Sequence, residues 1–167
     1  SVASRGLGDV YKRQPVDAPV IGVIGRITAI KRPDRVLEVA RHLQVTLPDA
    51  CLIMAGSGDL NDVTAAEIAQ SGLPVDLLGW RSDIERVLAC CDVVLLTSDN
   101  EGTPISLIQA GLAQVPAVAT DVGSVPEVVL NGITGYVVKP EAEELADAMI
   151  KILVDPQLRQ RMGSSAR

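Results

Sequence analysis

From Val93 to Leu96 the chain reads Val-Val-Leu-Leu, apolar at every position and bounded by Asp92 and Thr97. A run this short suits a strand, and a strand without polar alternation must be buried on both faces. Comparable runs occur at 20–24, 52–55, 75–78, 117–119 and 135–138, and helical stretches separate them. Helices are predicted over 33–47, 60–71, 84–90, 104–113, 125–129 and 142–154, with another beginning near Pro156. In the first, Val36, Val39, Ala40, Leu43 and Leu47 share one face. Strands apolar almost throughout (Asp76 excepted), alternating with helices, predict an α/β fold: a Rossmann-like, doubly wound parallel sheet of about six strands.

The bulk properties narrow the function classes. A chain of 167 residues with 47% hydrophobic and 22% charged residues can build one domain with its own core. Aromatic residues make up only 2%, so that core must be aliphatic. A net charge of -6 argues against nucleic acid or an anionic membrane as the general partner, while leaving room for a local basic pocket. Cys51, Cys90 and Cys91 lack metal-ligand spacing and read as buried, reduced thiols, which suits a cytoplasmic protein. His42 is the one histidine, which removes a Ser-His-Asp triad and any poly-histidine metal site from this chain. No transmembrane segment is predicted, since no run approaches the roughly 20 apolar residues needed. Residues 1–14 have neither an apolar signal core nor hydrophobic periodicity, and read as a non-native or disordered tail outside a fold spanning 15–167.

In such a sheet, ligands bind beyond the carboxyl ends of the strands. The chemistry should therefore lie at the strand ends. The first is followed by Gly25-Arg26, with Lys31 and Arg32 before the next helix. The glycine permits close backbone approach to a ligand, and Arg26 with Lys31 could hold a diphosphate by charge-assisted bonds; a solvated basic turn is the other reading. Gly56-Ser57-Gly58 follows the second strand but lacks the third glycine of a dinucleotide fingerprint, because position 61 is Asn. A tight turn fits it better. Gly79-Trp80-Arg81 follows the third strand, and Trp80 either borders a flat base or covers the sheet edge. After the fourth come Glu101-Gly102-Thr103-Pro104-Ile105, an acidic turn with a proline suited to a helix's first turn. Glu101 has no obvious ion-pair partner, and free helix amides beside a carboxylate could hold an anion and hydroxyls together. Ser82-Asp83-Ile84-Glu85 and Ser124-Val125-Pro126-Glu127 match capping boxes, which makes Glu85 and Glu127 structural. Asn131-Gly132 marks a turn.

Taken together, these segments resemble the carboxyl-terminal, donor-binding domain of GT-B-fold glycosyltransferases, specifically the retaining family 4. The resemblance runs from about Val20 to Met162. It rests on Gly25-Arg26 with Lys31, Ala55-Gly56-Ser57-Gly58, Leu78-Gly79, Glu101-Gly102-Thr103-Pro104, and the run from Thr120 to Glu127. It implies a nucleotide-diphosphate sugar as substrate, with Arg26 and Lys31 on the diphosphate and Glu101 on sugar hydroxyls. Gly25, Gly56 and Gly58 would line the donor site. The amides of Gly102, Thr103 and Ile105, the residue after Pro104, would cradle sugar and phosphate, and Gly79, Trp80 and Arg81 would border the base. The family places a second glutamate seven residues after the first to grip the ribose; this chain has Gln109, which offers one acceptor and two donors instead of two acceptors.

The reaction implied is glycosyl transfer with retention, by front-side displacement in which cations stabilise the departing diphosphate. No cofactor or metal is expected. The resemblance also implies a missing amino-terminal domain that binds the acceptor, so the chain is expected to bind donor without turning over. Peripheral membrane association would come through that domain. A GT-B nucleotide-sugar epimerase and a flavodoxin-like nucleotide-binding module are the alternatives.

Overall fold

The computed structural model describes residues 17–167, so the predicted tail at 1–14 lies outside the described residues. Six strands and seven helices alternate: β1 Val20–Ile24, α1 Pro33–Thr46, β2 Cys51–Ala55, α2 Asn61–Ser71, β3 Val75–Gly79, α3 Ile84–Cys90 and β4 Val93–Leu96. They continue with α4 Ile105–Leu112, β5 Ala117–Thr120, α5 Val125–Val128, β6 Gly135–Val138, α6 Ala142–Leu153 and α7 Pro156–Ser165. A 3-10 turn at Ala29–Lys31, which periodicity did not predict, precedes α1.

All strand pairs are parallel, in the order β3-β2-β1-β4-β5-β6. Successive residues of a strand point to opposite faces, so each strand feeds two cores. On one face Ile21, Leu52, Met54, Val93, Leu95 and Val118 pack under α1 and α6. On the other, Val20, Cys51, Ile53, Val94, Leu96, Ala117 and Ala119 pack under α3 and α4. Every residue of β2 and β4 is buried, the reason their sequences carry no polar alternation. The three cysteines are buried and form no disulfide, and His42 is exposed on α1, as expected. Among the described residues no helix is long and apolar enough to cross a membrane.

The helix starts differ from the capping boxes. Asp83 is the N-cap residue of α3 but makes no cap bond, because its carboxylate instead accepts from Arg81 Nε and Nη2 at 2.8 and 2.7 Å. Ser124 is the N-cap residue of α5, yet its hydroxyl donates to the Gly102 carbonyl. The competing partner lies two residues before Asp83, whereas for Ser124 it comes from another turn. A side-chain cap is seen at α7, where Asp155 accepts from the amides of Gln157 and Leu158 at 3.1 and 3.0 Å.

Candidate functional site

The neighbours β1 and β4 continue to helices on opposite faces, α1 and α4. Their connections therefore diverge and leave a crevice beyond their carboxyl ends, the switch point of a doubly wound sheet. Gly25, Arg26 and Lys31 come from the β1 side of this crevice, and Thr97, Ser98 and Glu101 from the β4 side.

The β1 side is held by close backbone packing. The Gly25 amide donates to the Ala55 carbonyl at 3.0 Å, the Gly56 amide to the Gly79 carbonyl at 2.8 Å, and the Ile27 amide to the Ser57 carbonyl at 3.2 Å. A Cβ at Gly56 would stand 1.8 Å from the Gly25 carbonyl oxygen, and one at Gly58 would stand 2.3 Å from that of Ile27. These two glycines let one turn lie on another, which is the tight-turn reading. Beyond them opens a cleft of about 450 Å³ lined by Gly25, Arg26, Gly56, Ser57, Trp80 and Arg81. Trp80 is 75% exposed, so it walls this cleft and does not cover the sheet edge. Arg81 is drawn toward Asp83, whose carboxyl is held below its ordinary value chiefly by that guanidinium. Arg26 is exposed and makes no ion pair with any described residue.

The β4 side is more enclosed. The Glu101 side chain is 5% exposed, and its Oε1 accepts from Lys31 Nζ at 2.5 Å and from Ser98 Oγ at 2.6 Å. Glu101 thus has an ion-pair partner, contrary to the sequence reading. The partner was not legible because it lies 70 positions away, on the other side of the switch point. The turn carrying Glu101 is braced from below. Buried Arg35 donates to the Thr97 carbonyl at 2.7 Å and pairs with Asp99 at 3.0 Å. Thr97 Oγ1 donates to the Lys31 carbonyl at 2.8 Å, and Thr120 Oγ1 to the Ser98 carbonyl at 2.7 Å. Arg32, left-handed at φ 53, bonds both Asp34 and Asp99; its guanidinium holds the Asp34 carboxyl below its ordinary value despite an opposing effect of burial.

From the other flank, Gly123 (φ +52) presses against Glu101: a Cβ there would stand 1.9 Å from the Glu101 carbonyl oxygen, which also accepts from the Ser124 amide at 3.1 Å. The amides of Gly102 and Thr103 have no described acceptor, so they are available to a ligand. The Ile105 amide is not, because it donates to the Thr103 carbonyl at 2.9 Å, a correction to the expected cradle. The cause is Pro104, whose φ -78 and ψ 76 close an inverse γ-turn before α4 rather than opening the helix itself. Gln109 is half-buried on α4, and its side chain bonds no described residue.

Arg35 escaped the sequence reading, and Ser98, Asp99 and Thr120 lay within its motifs without an assigned role. Arg35 had a signal, since it stands four residues before Val39 on the apolar stripe of α1, where an unpaired charge would be costly.

A crevice at the switch point, flanked by cations and a buried carboxylate, agrees with the profile of the family described as glycosyl transferases group 1, which matches residues 11–167. The chain belongs to this family. It is 32% identical over 155 residues to an alpha-D-kanosaminyltransferase of Streptomyces kanamyceticus, covering 90% of this chain and 40% of that one. The solved structure of a S. aureus TarM variant, in complex with fondaparinux, alpha-GlcNAc-glycerol and UDP, superposes with a TM-score of 0.86 at 25% identity. The match covers 94% of this chain and 33% of TarM. Anabaena HepE in complex with UDP and glucose gives 0.81 at 26% identity, with 95% and 48% covered. The group 1 chain described here spans about 40% of the length of the curated relatives it matches. The fold is the Rossmann-like α/β sheet of GT-B glycosyltransferases, and these likenesses do not favour an epimerase or a flavodoxin-like module.

Proposed function

We propose that this chain is the carboxyl-terminal, donor-binding half of a retaining, family 4 glycosyltransferase that takes a nucleotide-diphosphate sugar. The observation that carries this reading is the Lys31–Glu101 pair at the switch point, with the unpaired Arg26 beside it. An ammonium has three donors, so Lys31 can keep Glu101 and still offer two to diphosphate oxygens. Arg26 supplies the second cation in fork geometry. Together they would hold the donor and neutralise charge as the nucleoside diphosphate departs. The Gly102 and Thr103 amides and the Glu101 carboxylate face the sugar end, while Trp80 and Arg81 wall the cleft for the base. Gln109 would meet the ribose.

Retention would follow from front-side attack by the acceptor, and no metal is needed because Arg26 and Lys31 already carry the compensating charge. The acceptor site belongs to an amino-terminal domain outside these residues, which could also bring the enzyme to a membrane surface. The isolated chain then binds donor without transfer, whereas a parent carrying both halves transfers.

Calorimetric titration with UDP, GDP and FMN tests the class. Binding of a nucleoside diphosphate in preference to FMN is expected, and preference for FMN would overturn it. Glu101→Gln should weaken UDP-glucose more than UDP, since Arg26 and Lys31 act on both ligands and Glu101 on the sugar. Equal losses would show that Glu101 does not meet the sugar.

A further inference from the structure

The two oxygens of Glu101 stand in different environments. Oε1 accepts two hydrogen bonds, from Lys31 Nζ at 2.5 Å and Ser98 Oγ at 2.6 Å. Oε2 accepts none from any described residue. No buried side-chain oxygen or nitrogen among the described residues lacks a partner, so the small exposed part of this 5% exposed side chain includes Oε2. A carboxylate oxygen that reaches the surface without a donor is open to a ligand hydroxyl, and one already holding two strong donors is largely spent.

What sets this division is Ser98. It is 1% exposed, two residues beyond the buried β4, and its carbonyl is held by Thr120 Oγ1 at 2.7 Å. The preceding Thr97 carbonyl is held by Arg35 at 2.7 Å. With its backbone clamped from both sides, the Ser98 hydroxyl is a fixed donor, whereas Lys31 reaches Glu101 on a flexible, one-third exposed stem. Lys31 alone could follow either oxygen.

We infer that Ser98 is a positioning residue: it holds Glu101 with Oε1 turned inward and Oε2 presented to a hydroxyl of the donor sugar. This rests on the donor-site reading above and adds the atom that meets the sugar and the residue that selects it. A carboxylate held this way accepts from the ligand on one oxygen only. In Glu101→Gln the amide oxygen would stay with Lys31 and Ser98, and an NH2 donor would replace the acceptor at the ligand.

The test compares wild type, Ser98→Ala and Ser98→Thr by calorimetry with UDP-glucose and UDP as probes, and by the carbon-13 carboxyl resonance of Glu101 without ligand. In Ser98→Ala the ratio of UDP-glucose to UDP affinity should fall about fivefold to tenfold, less than the loss of a whole hydrogen bond to a charged group because Lys31 still holds Glu101, with UDP affinity held within about twofold. The Glu101 resonance should shift in Ser98→Ala. Thermal melting checks that the variants fold, and Ser98→Thr, which keeps the hydroxyl, should restore both readouts. An unchanged ratio, or equal losses for both ligands, overturns the positioning role. Failure of wild type to bind UDP overturns the donor-site reading instead. In that case a Glu101 resonance unmoved by Ser98→Ala also rejects the link between Ser98 and Glu101.

Discussion

Lys31 Nζ lies 2.5 Å from Glu101 Oε1 and ties the turn after β1 to the turn after β4. The two residues are thus one unit, and Arg26, on the same side as Lys31 but unpaired, is not part of it. Lys31→Ala leaves a buried carboxylate with only the Ser98 hydroxyl and should lower stability by about 1–2 kcal/mol, less than for a fully buried pair because the ammonium is one-third exposed. Arg26→Ala should change stability by less than about 0.5 kcal/mol. Both should weaken UDP binding by about 1–3 kcal/mol. Urea denaturation and calorimetry separate the two effects, and equal stability losses would show that the pair does not hold in solution.

Gly123→Ala should be costly. The residue sits at φ +52, and its new Cβ would stand 1.9 Å from the Glu101 carbonyl oxygen, a backbone atom that a side-chain rotation cannot clear. A loss of about 2 kcal/mol or more is expected. At Gly102 a Cβ meets nothing within 4 Å, so Gly102→Ala should stay within about 0.5 kcal/mol of wild type. Denaturation midpoints of the two variants check the contrast, and similar midpoints would mean that the 120–124 turn does not press on Glu101.

Gln109→Glu should tighten UDP but not a UDP analogue lacking both ribose hydroxyls. A carboxylate accepts from both hydroxyls, worth about 1.5–3 kcal/mol for a charged acceptor. Repulsion from a diphosphate several ångströms away removes about 1 kcal/mol or less, so the net gain is about 1–2 kcal/mol. Paired titrations decide it, and an equal response to both ligands places Gln109 away from the ribose.

Asp34 carries a carboxyl whose folded value lies below its ordinary one, chiefly through the Arg32 hydrogen bond. A depressed carboxylate stabilises the fold above its unfolded value of about pH 3.9, and that contribution is lost as pH falls through the lower folded value. Wild type should therefore exceed Asp34→Asn in stability near neutral pH, by no more than about 0.5 kcal/mol for so exposed a pair, and the gap should close as acid protonates the folded carboxyl. Urea curves across that range provide the check. A gap that widens in acid would reverse the sign of the linkage.

The sheet was legible because burial on both faces writes itself locally. Val93 to Leu96 cannot be apolar throughout and sit on a solvent-facing strand, and the strands, helices and turn glycines all follow from patterns within about fifteen neighbouring residues. Candidate site residues were legible for a related reason, since each follows a strand's carboxyl end, where a parallel sheet places its ligands. The 3-10 turn before α1 was not, because three residues carry no period. The failed capping boxes differ in kind: the box read at Ser82 fails because α3 starts one residue later, with Asp83 as N-cap and its carboxylate taken by Arg81, whereas Ser124 has the right neighbours in sequence but bonds the Gly102 carbonyl in space.

What local patterns determined, then, was which elements form and which turns face the ligand edge. Which side chains act together was decided by tertiary structure. Strand order 3-2-1-4-5-6 puts β1 beside β4, and only then do Lys31 and Glu101, 70 positions apart, form an ion pair whose inner oxygen is also held by Ser98. The physical reason is range: periodicity and capping act over a few residues, whereas an ion pair depends on distance in space, which only the closed sheet establishes.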